Sequence, residues 1–496
     1  MVSAVLPARR GAPPFGGALT DGRALVWAVA LALLLGTARK LGVGLDRLLS
    51  LDESWTGAIA AAPDVPTLIR FCLAEMSGPA FYGSAWAWAK LAGTGDLALR
   101  APALAAAVGT PLLILWRGHP DRTVRLLWAG LTAVWLPGSI FASEARPYAP
   151  LLLIGTAQTI ALAALIRAPT HRRAWGWAGL AALGGLTHYY TLPVSAVQGL
   201  LILTRGRAAW RCWPALLVFV PMLAWMAWHL PTLRMFTAPG GNWYPPTRLA
   251  DLATMLPAAA LGLPALAYAL AAAIMVSLLR APRVFMRTDV QVALTGAAAL
   301  ALIAMLALLR PSFSPRYVLP CMPPILFGLA LWAAGVRRRW PYAPLLLLGA
   351  FLLLALAEAG ARLAIPADRT HAESIEVASE AIATARPRRL VALFDGPGVA
   401  PPDRSLPRAV AGFFLARAGH PVEVLAPPLR EGDPNRLLTR LANRPDDAIL
   451  WVYDAGRPGT LGARHPNVIP RTDPRFTCRD YGTGPLAVIA CWQPRR

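Results

Sequence analysis

Long apolar stretches dominate the sequence, and their length restricts the folds that this chain can adopt. A helix that crosses a membrane needs about 20 mostly apolar residues, and about eleven stretches approach that length. They lie at residues 24–44, 98–116, 125–142, 148–166, 174–188, 190–204, 212–230, 256–279, 289–309, 317–336 and 341–362. We therefore predict an all-α polytopic membrane domain with about 11 transmembrane helices.

Composition agrees with a membrane protein and argues against a nucleic-acid partner. Only 15% of the residues are charged, whereas roughly a quarter are charged in a soluble domain. The net charge of +22 comes from 48 Lys and Arg against 26 Asp and Glu. These basic residues fall singly or in twos and threes between apolar stretches, which is typical of the cytoplasmic loops of membrane proteins.

Basic clusters also predict which connections share a side. They precede the first predicted span and follow the second, fourth, sixth, eighth and tenth, at Arg9, Arg10, Arg23, Arg117, Arg122, Arg125, Arg167, Arg172, Arg173, Arg205, Arg207, Arg211, Arg280, Arg283, Arg287, Arg337, Arg338 and Arg339. We assign these to the cytoplasm. Residues 45–97, 143–146, 187–190, 231–255, 311–316 and those after about 363 then lie on the periplasmic side of a bacterial inner membrane. No cleavable signal is evident before the first span, and 78–93 reads as an interfacial helix.

The composition changes after the membrane domain, which we place at residues 1–365 with a large first loop at 45–97. In residues 366–496, β-rich runs at 390–395, 422–426, 448–454 and 486–492 alternate with helical patterns at 406–418 and 435–443. This pattern predicts a small extracytoplasmic α/β domain. Cys478 and Cys491 lie in it, and an oxidising compartment would allow a disulfide between them. No cysteine or histidine spacing of the zinc type occurs.

Four polar motifs fall in the connections assigned to the periplasmic side. They are Asp52-Glu53, Glu144 with Arg146 and Tyr148, His188-Tyr189, and Arg316-Tyr317. Each motif alone also fits an ordinary role, such as loop charge, an ion pair at helix ends or an aromatic belt. Together on one side, Arg146, Arg316 and His188 would bind an anionic group such as a phosphate. Asp52 would then serve as a base opposite that phosphate.

These motifs resemble a known family, the polyprenyl-phosphate-sugar-dependent glycosyltransferases of the C-type membrane fold (GT-C), which includes protein O-mannosyltransferases and lipid A aminoarabinose transferases. The matching residues span roughly 20–340 and are Asp52-Glu53, Gly78-Pro79 with Phe81-Tyr82, Ala145-Arg146-Pro147-Tyr148, Thr187-His188-Tyr189, Trp243-Tyr244-Pro245-Pro246 and Arg316-Tyr317-Val318-Leu319-Pro320. The family commonly has a His-Pro-Pro signature where this chain has Ser77-Gly78-Pro79. Any acceptor or metal contact made by that histidine is therefore not expected here.

The resemblance implies an inverting glycosyltransferase that moves a hexosyl or pentosyl group in a single displacement. The donor would be a polyprenyl-phosphate-linked sugar, and the acceptor would be a hydroxyl of a lipid, glycan or protein. Catalytic roles fall on Asp52 as base with Glu53 as second choice, and donor-phosphate binding falls on Arg146, Tyr148, His188, Tyr189, Arg316 and Tyr317. Tyr82, Glu144 and Trp243 would line the rest of the cavity, with Glu144 orienting Arg146. The scheme requires no metal or other cofactor, although some relatives bind a divalent cation.

Two other classes of membrane protein remain as alternatives. A polytopic transporter or flippase also has many spans and charges near helix ends, but no inverted repeat is visible and the span at 289–309 carries no charge at its centre. A ligase of whole glycans places its main outer loop late in the chain, whereas here the long loop comes first. The C-terminal domain is expected to select the acceptor.

Overall fold

The structure is a computed structural model, and it describes residues 22–45, 48–237, 247–310, 313–364, 374–395, 404–427, 447–454, 476–481 and 486–493. Trp243 and the predicted helix at 435–443 lie outside these ranges. The helices are α1 (Gly22–Leu45), α2 (Leu51–Ala60), α3 (Val65–Ala74), α4 (Pro79–Ala92), α5 (Asp96–Arg117), α6 (Arg122–Val134), α7 (Leu136–Ile140), α8 (Tyr148–Arg167), α9 (His171–Thr187), α10 (Leu192–Leu203), α11 (Arg207–Trp210), α12 (Val220–Thr237), α13 (Leu249–Leu261), α14 (Pro264–Arg280), α15 (Thr288–Leu309), α16 (Met322–Val336), α17 (Ala343–Ala364), α18 (Ser374–Ala385) and α19 (Ser405–Arg417). The strands are β1 (Arg389–Asp395), β2 (Glu423–Leu425), β3 (Asp447–Asp454), β4 (Thr477–Tyr481) and β5 (Leu486–Trp492).

The chain is a multi-pass membrane protein. Among the described residues, 7 helical segments are long and apolar enough to cross a membrane: Gly22–Gly42, Asp96–Arg117, Tyr148–Arg167, Trp213–Thr237, Thr288–Leu309, Pro315–Val336 and Ala343–Ala361. A further pair, α13 and α14, meets the same criterion together but bends by 86° at its break. The outward faces of the spanning helices are apolar, as a lipid-facing surface requires. Leu309 and Leu353, for example, are each 69% exposed.

The predicted number of about eleven spans is not confirmed, because three predicted stretches form shorter helices. The stretch at 125–142 breaks at Trp135, between the 13 residues of α6 and the five of α7. Helix α9 has 17 residues and α10 has 12 after a short 3-10 turn at Tyr189–Thr191. At 1.5 Å per residue, α9 spans about 25 Å and α10 less, short of a hydrocarbon core of about 30 Å.

The connections that carry the basic clusters lie together at one end of the helices. Arg167 forms an ion pair with Asp289 at 3.2 Å, and Arg337 donates to the Thr123 hydroxyl at 3.2 Å. Arg205 donates to Gln291 in the same region. Contacts among these connections agree with the predicted sorting of the loops into two sets.

A five-stranded mixed sheet follows the membrane helices, in the order β2-β1-β3-β5-β4. Strand β1 runs parallel to β2 and β3, whereas β5 runs antiparallel to β3 and β4. Alternation along β1 sends Leu390 and Phe394 to one face and Val391 and Leu393 to the other, where each face joins a separate apolar cluster. The predicted C-terminal sheet is thus confirmed.

Strand β4 lies at the edge of the sheet and was not predicted from the sequence. It carries Arg479 and Asp480, and charged edge strands give little apolar signal. Cys478 of β4 lies opposite Cys491 of β5, and the two form a disulfide. Helix α18 also escaped prediction.

One apolar core joins the sheet to the short helices that follow α1. Trp55 and Ile59 of α2 belong to the same buried cluster as Phe394 of β1 and Phe413 of α19. The C-terminal sheet and its helices therefore pack directly on α2, the helix that carries Asp52.

Candidate active site

Helix α2 presents the two adjacent carboxylates from its first turn. Ser50 is its N-cap, and the Ser50 hydroxyl accepts a hydrogen bond from the Glu53 N–H at 3.2 Å. The Glu53 carboxylate accepts one in return from the Ser50 N–H at 2.9 Å. This capping box satisfies two backbone donors and fixes the start of the helix. It thereby fixes Asp52 as well.

Glu53 is fully buried, and its carboxylate accepts hydrogen bonds from Arg100 and Ala145 in addition to Ser50. The Arg100 guanidinium donates to both carboxylate oxygens, from Nε at 2.8 Å and from Nη2 at 3.1 Å. The Ala145 N–H donates to the same carboxylate at 2.9 Å. A buried carboxylate needs such charged and backbone partners to offset its lost hydration. Glu53 therefore ties α2 to α5 and to the connection before α8, and the geometry disfavours it as a base.

Arg100 was not among the predicted site residues. The sequence could have indicated it, because Arg100 is the one charged residue of the predicted span at 98–116. Charged side chains inside apolar helices are costly and occur with partners.

Asp52 remains accessible and lies against Arg316. Its side chain is 39% exposed and its Oδ2 forms an ion pair with Arg316 Nη1. Arg146 Nη1 donates to the Asp52 backbone carbonyl at 3.1 Å. Burial alone would raise the pKa of Asp52, but Arg316 and Arg146 outweigh it and lower the pKa to about 2. Asp52 is thus ionised at neutral pH and partly accessible to solvent.

Arg146 is 5% exposed and contacts two further polar groups. Its Nη1 donates to the Tyr82 hydroxyl at 3.1 Å, and its Nη2 lies 3.7 Å from Glu75 Oε1. Burial opposes its charge, yet Tyr82, Glu75 and Asp52 together raise the pKa of Arg146 well above its usual value.

A carboxylate beside Arg146 is that of Glu75, which was not among the predicted site residues. Glu144, expected to orient Arg146, accepts from the Arg146 N–H through its backbone carbonyl at 2.7 Å. Glu75 follows α3 in the same first loop as Asp52. This shared loop was the sequence feature that could have identified Glu75 as a site residue.

His188 lies in an aromatic group next to the arginines. Its ring centroid is 5.6 Å from that of Tyr317 and 6.4 Å from that of Tyr148. Arg316 lies over both tyrosine rings, at 5.9 Å and 5.7 Å from their centroids. Burial and then the charges of Arg146 and Arg316 lower the pKa of His188 to about 3. The imidazole is therefore neutral at pH 7.

The segment where the family commonly has His-Pro-Pro packs against the backbone around His188. Ser77 pairs with His188 in an isolated antiparallel bridge, and the Gly78 N–H donates to the Thr187 carbonyl at 2.9 Å. A Cβ on Gly78 would lie 1.9 Å from the Leu186 carbonyl oxygen. Only glycine permits this approach.

Tyr189 lies in the 3-10 turn between α9 and α10 and contacts a second histidine. Its hydroxyl lies 2.6 Å from Nδ1 of His229, a fully buried residue of α12 that the sequence analysis missed. Tyr189 was predicted to bind the phosphate, and this role stays a prediction; in the structure its hydroxyl contacts His229.

An apolar groove of about 400 Å³ opens beside this cluster. It runs between α10 and α15, and its walls include Leu192, Ala196 and Leu306. The ring of Tyr190 lines one part of the groove and stacks on Tyr317 at a centroid distance of 3.7 Å. The groove therefore borders the residues that surround Arg316.

Within the described ranges, no three His, Cys, Asp or Glu side chains lie together as metal ligands would.

Comparisons with known proteins show that this chain is similar in fold to solved membrane-protein structures. No family model matches the sequence, and no curated protein matches it. The crystal structure of ArnT from Cupriavidus metallidurans bound to undecaprenyl phosphate has a TM-score of 0.50 at 14% identity, over 97% of this chain and 100% of ArnT. Its apo form has a TM-score of 0.52 at 14% identity, over 95% and 99%. The cryo-EM structure of arabinofuranosyltransferase AftD from Mycobacteria has a TM-score of 0.48 at 17% identity, over 96% of this chain and 40% of AftD. The two ArnT structures confirm the resemblance of fold expected from the sequence: this chain has the fold of ArnT.

Proposed function

We propose that this chain is an inverting glycosyltransferase that moves a sugar from a polyprenyl-phosphate donor to a hydroxyl acceptor. The observation that carries the proposal is the partly exposed carboxylate of Asp52 beside Arg316 and Arg146. Arg316 lies over Tyr317, which stacks on Tyr190 in the wall of an apolar groove. A base, a phosphate-binding pair and an apolar groove for the lipid tail are the three parts that such a reaction needs.

Asp52 is the proposed base. Its carboxylate takes the proton of the acceptor hydroxyl as that oxygen attacks the anomeric carbon. The bond between the anomeric carbon and the phosphate oxygen breaks, and polyprenyl phosphate leaves with the bonding electron pair. One displacement inverts the anomeric configuration. Glu53 takes no proton in this scheme, because Arg100 and the Ala145 N–H occupy its oxygens.

Arg146 and Arg316 stabilise the charge that develops on the leaving phosphate. Guanidinium groups bind phosphate oxygens through paired N–H donors, and such electrostatic stabilisation is usually the largest contribution to catalysis. His188, Tyr148 and Tyr317 surround Arg316 and supply the neutral wall of the phosphate site. Arginines alone suffice for a lipid phosphate monoester, so the scheme requires no metal.

Donor binding would also activate the base. Without donor, Arg316 forms an ion pair with Asp52 and holds its pKa low, which makes Asp52 a weak proton acceptor. A donor phosphate that binds Arg316 would compete with this ion pair. Burial would then be the dominant effect on Asp52, and its proton affinity would rise when the acceptor is needed.

The groove between α10 and α15 supplies a path for the polyprenyl tail. Its apolar walls suit isoprene units, and Tyr190 links it to the phosphate site through the stack on Tyr317. The ArnT structure of the same fold is bound to undecaprenyl phosphate. Tyr189 lines the groove and is reassigned from the phosphate to the wall of the tail site.

The proposed location is the periplasmic face of a bacterial inner membrane. This assignment rests on the basic clusters, which gather at one end of the helices and mark the cytoplasmic side. The sugar is a hexose or a pentose, and the acceptor is a lipid, glycan or protein hydroxyl.

The decisive assay measures consumption of radiolabelled polyprenyl-phosphate hexose and pentose by the purified protein in lipid nanodiscs. We expect polyprenyl phosphate to form, and Asp52→Asn to lower kcat by at least about 100-fold. Arg316→Ala should lower it as well. Asp64→Asn is the matched control, since Asp64 is an exposed N-cap in the same loop and asparagine caps equally well.

Intact transfer by both Asp52→Asn and Arg316→Ala would refute this mechanism. Movement of the labelled lipid across liposome membranes without its consumption would instead favour a transporter or flippase. Consumption of only a polyprenyl-diphosphate glycan would favour a ligase of whole glycans.

A further inference from the structure

The face of α2 that carries Trp55 and Gly57 is covered by the C-terminal sheet and its helices. The Phe413 ring of α19 lies directly over Gly57, where a Cβ would be 2.6 Å from Cζ of the ring. Trp55 of α2 packs on Phe394 of β1 with a centroid distance of 6.2 Å. Phe413 can therefore lie this close to α2 only because residue 57 is a glycine and has no side chain.

An ionic connection reaches the entry to α2 from the same side. The Glu376 carboxylate of α18 accepts a hydrogen bond from the Leu49 N–H at 3.3 Å, just before the N-cap Ser50. Arg417 of α19 forms an ion pair with the other oxygen of Glu376. Glu376 is 3% exposed, so this contact lies inside the interface.

Arg417 also reaches the start of α5. Its Nη1 lies 2.5 Å from the Asp96 carboxylate, in the first turn of the helix that carries Arg100. The Glu376 and Arg417 pair thus contacts the starts of both helices that the Glu53–Arg100 ion pair joins. Helix α2 is fixed between these two sets of contacts.

A helix of ten residues has little stability of its own, so its position depends on what packs against it. A displacement of about 1 Å in a catalytic group can reduce the rate by about 100-fold. The placement of Asp52 is therefore sensitive to any change in these contacts.

We infer that the C-terminal α/β unit is a positioning element for α2, and that Phe413, Glu376 and Arg417 set the catalytic rate by fixing the place of Asp52. This inference rests on the proposed function of Asp52. It assigns the C-terminal unit a role in the rate, whereas acceptor selection would give it a role in acceptor affinity.

Phe413→Ala in the full chain tests this inference directly, and Gly57→Ala tests it without altering the C-terminal sequence. The new methyl group of Gly57→Ala must move Phe413 or α2 by about 1 Å to reach normal contact distance. Alanine favours a helix more than glycine does, so helix propensity cannot explain a loss. Leu393→Ala is the matched control, because Leu393 is equally buried but packs on the opposite face of the sheet.

We expect Phe413→Ala and Gly57→Ala to lower kcat by about 10-fold to 100-fold, with donor KM changed by less than about twofold. Hydrogen–deuterium exchange of the 51–60 backbone should rise in Phe413→Ala. Leu393→Ala should change neither. The inference is wrong if exchange at 51–60 and kcat both stay at wild-type values in Phe413→Ala, or if only acceptor KM rises. The exchange measurement needs no donor, so failure of the proposed function leaves this comparison decisive.

Discussion

Replacing Arg316 by glutamine should move the acid limb of the pH–rate profile. The usual pKa of an aspartate is 3.8, and Arg316 and Arg146 lower that of Asp52 to about 2. Each pKa unit corresponds to about 1.4 kcal/mol. The side chain of Asp52 is 39% exposed, so solvent screening reduces the ion pair to about 1 kcal/mol.

The sign of the effect follows from the depressed pKa. The ion pair stabilises the protein above the unfolded-state pKa of 3.8, and this stabilisation is lost as the pH falls toward about 2. In Arg316→Gln, burial is opposed mainly by Arg146, so the pKa of Asp52 should return toward its usual value of 3.8, a rise of about two units. A base must be ionised to act, so activity should fall at a higher pH in the variant.

The assay is kcat/KM for donor consumption between about pH 4 and pH 8, since this ratio reports ionisations of the free enzyme. We expect a flat wild-type profile down to about pH 4 and a variant profile that declines below about pH 5. Arg70→Gln is the control, because Arg70 is exposed on α3. Superimposable wild-type and Arg316→Gln profiles would refute the reasoning.

Three further predictions concern residues that hold the site or the sheet. Arg100→Ala leaves Glu53 buried without its charged partner and should lower the free energy of unfolding by about 3–5 kcal/mol, as measured by denaturation in detergent; an unchanged midpoint would contradict it. Gly78→Ala places a Cβ 1.9 Å from a backbone oxygen and should abolish transfer, whereas Gly83→Ala, with nothing within 4 Å, should not. Cys478→Ser should destabilise the C-terminal sheet by about 2–3 kcal/mol, measured as faster hydrogen–deuterium exchange in β4 and β5 than in the wild type. Under reducing conditions this difference between the variant and the wild type should disappear.

The sequence was sufficient to predict the longest membrane helices and the strands with continuous apolar runs, but not the number of spans. Such elements follow from local periodicity and length. The break between α6 and α7 at Trp135 shows the limit of prediction from apolar length. Pro137, two residues later, and tertiary packing interrupt the helix there, and composition does not encode that packing. The edge strand with Arg479 was missed because its residues look solvated.

The sequence analysis predicted that residues with unusual chemistry would meet where their connections share a side. Asp52, Arg146 and Arg316 are far apart in sequence, yet the structure brings them together. Glu75 and Arg100 were missed because each looks like ordinary loop or interfacial charge until its partner is known. Asp52 and Glu53 differ in role because Asp52 is partly exposed and Glu53 is fully buried. Two adjacent carboxylates in a sequence do not show which of them is buried.

A cryo-EM structure with undecaprenyl phosphate bound would test the central claim most directly. We predict a phosphate within hydrogen-bonding distance of the Arg146 and Arg316 guanidinium groups, about 3 Å. The first isoprene units should lie between α10 and α15, with Asp52 released from Arg316. A phosphate bound elsewhere, with the Asp52–Arg316 ion pair intact, would contradict the account.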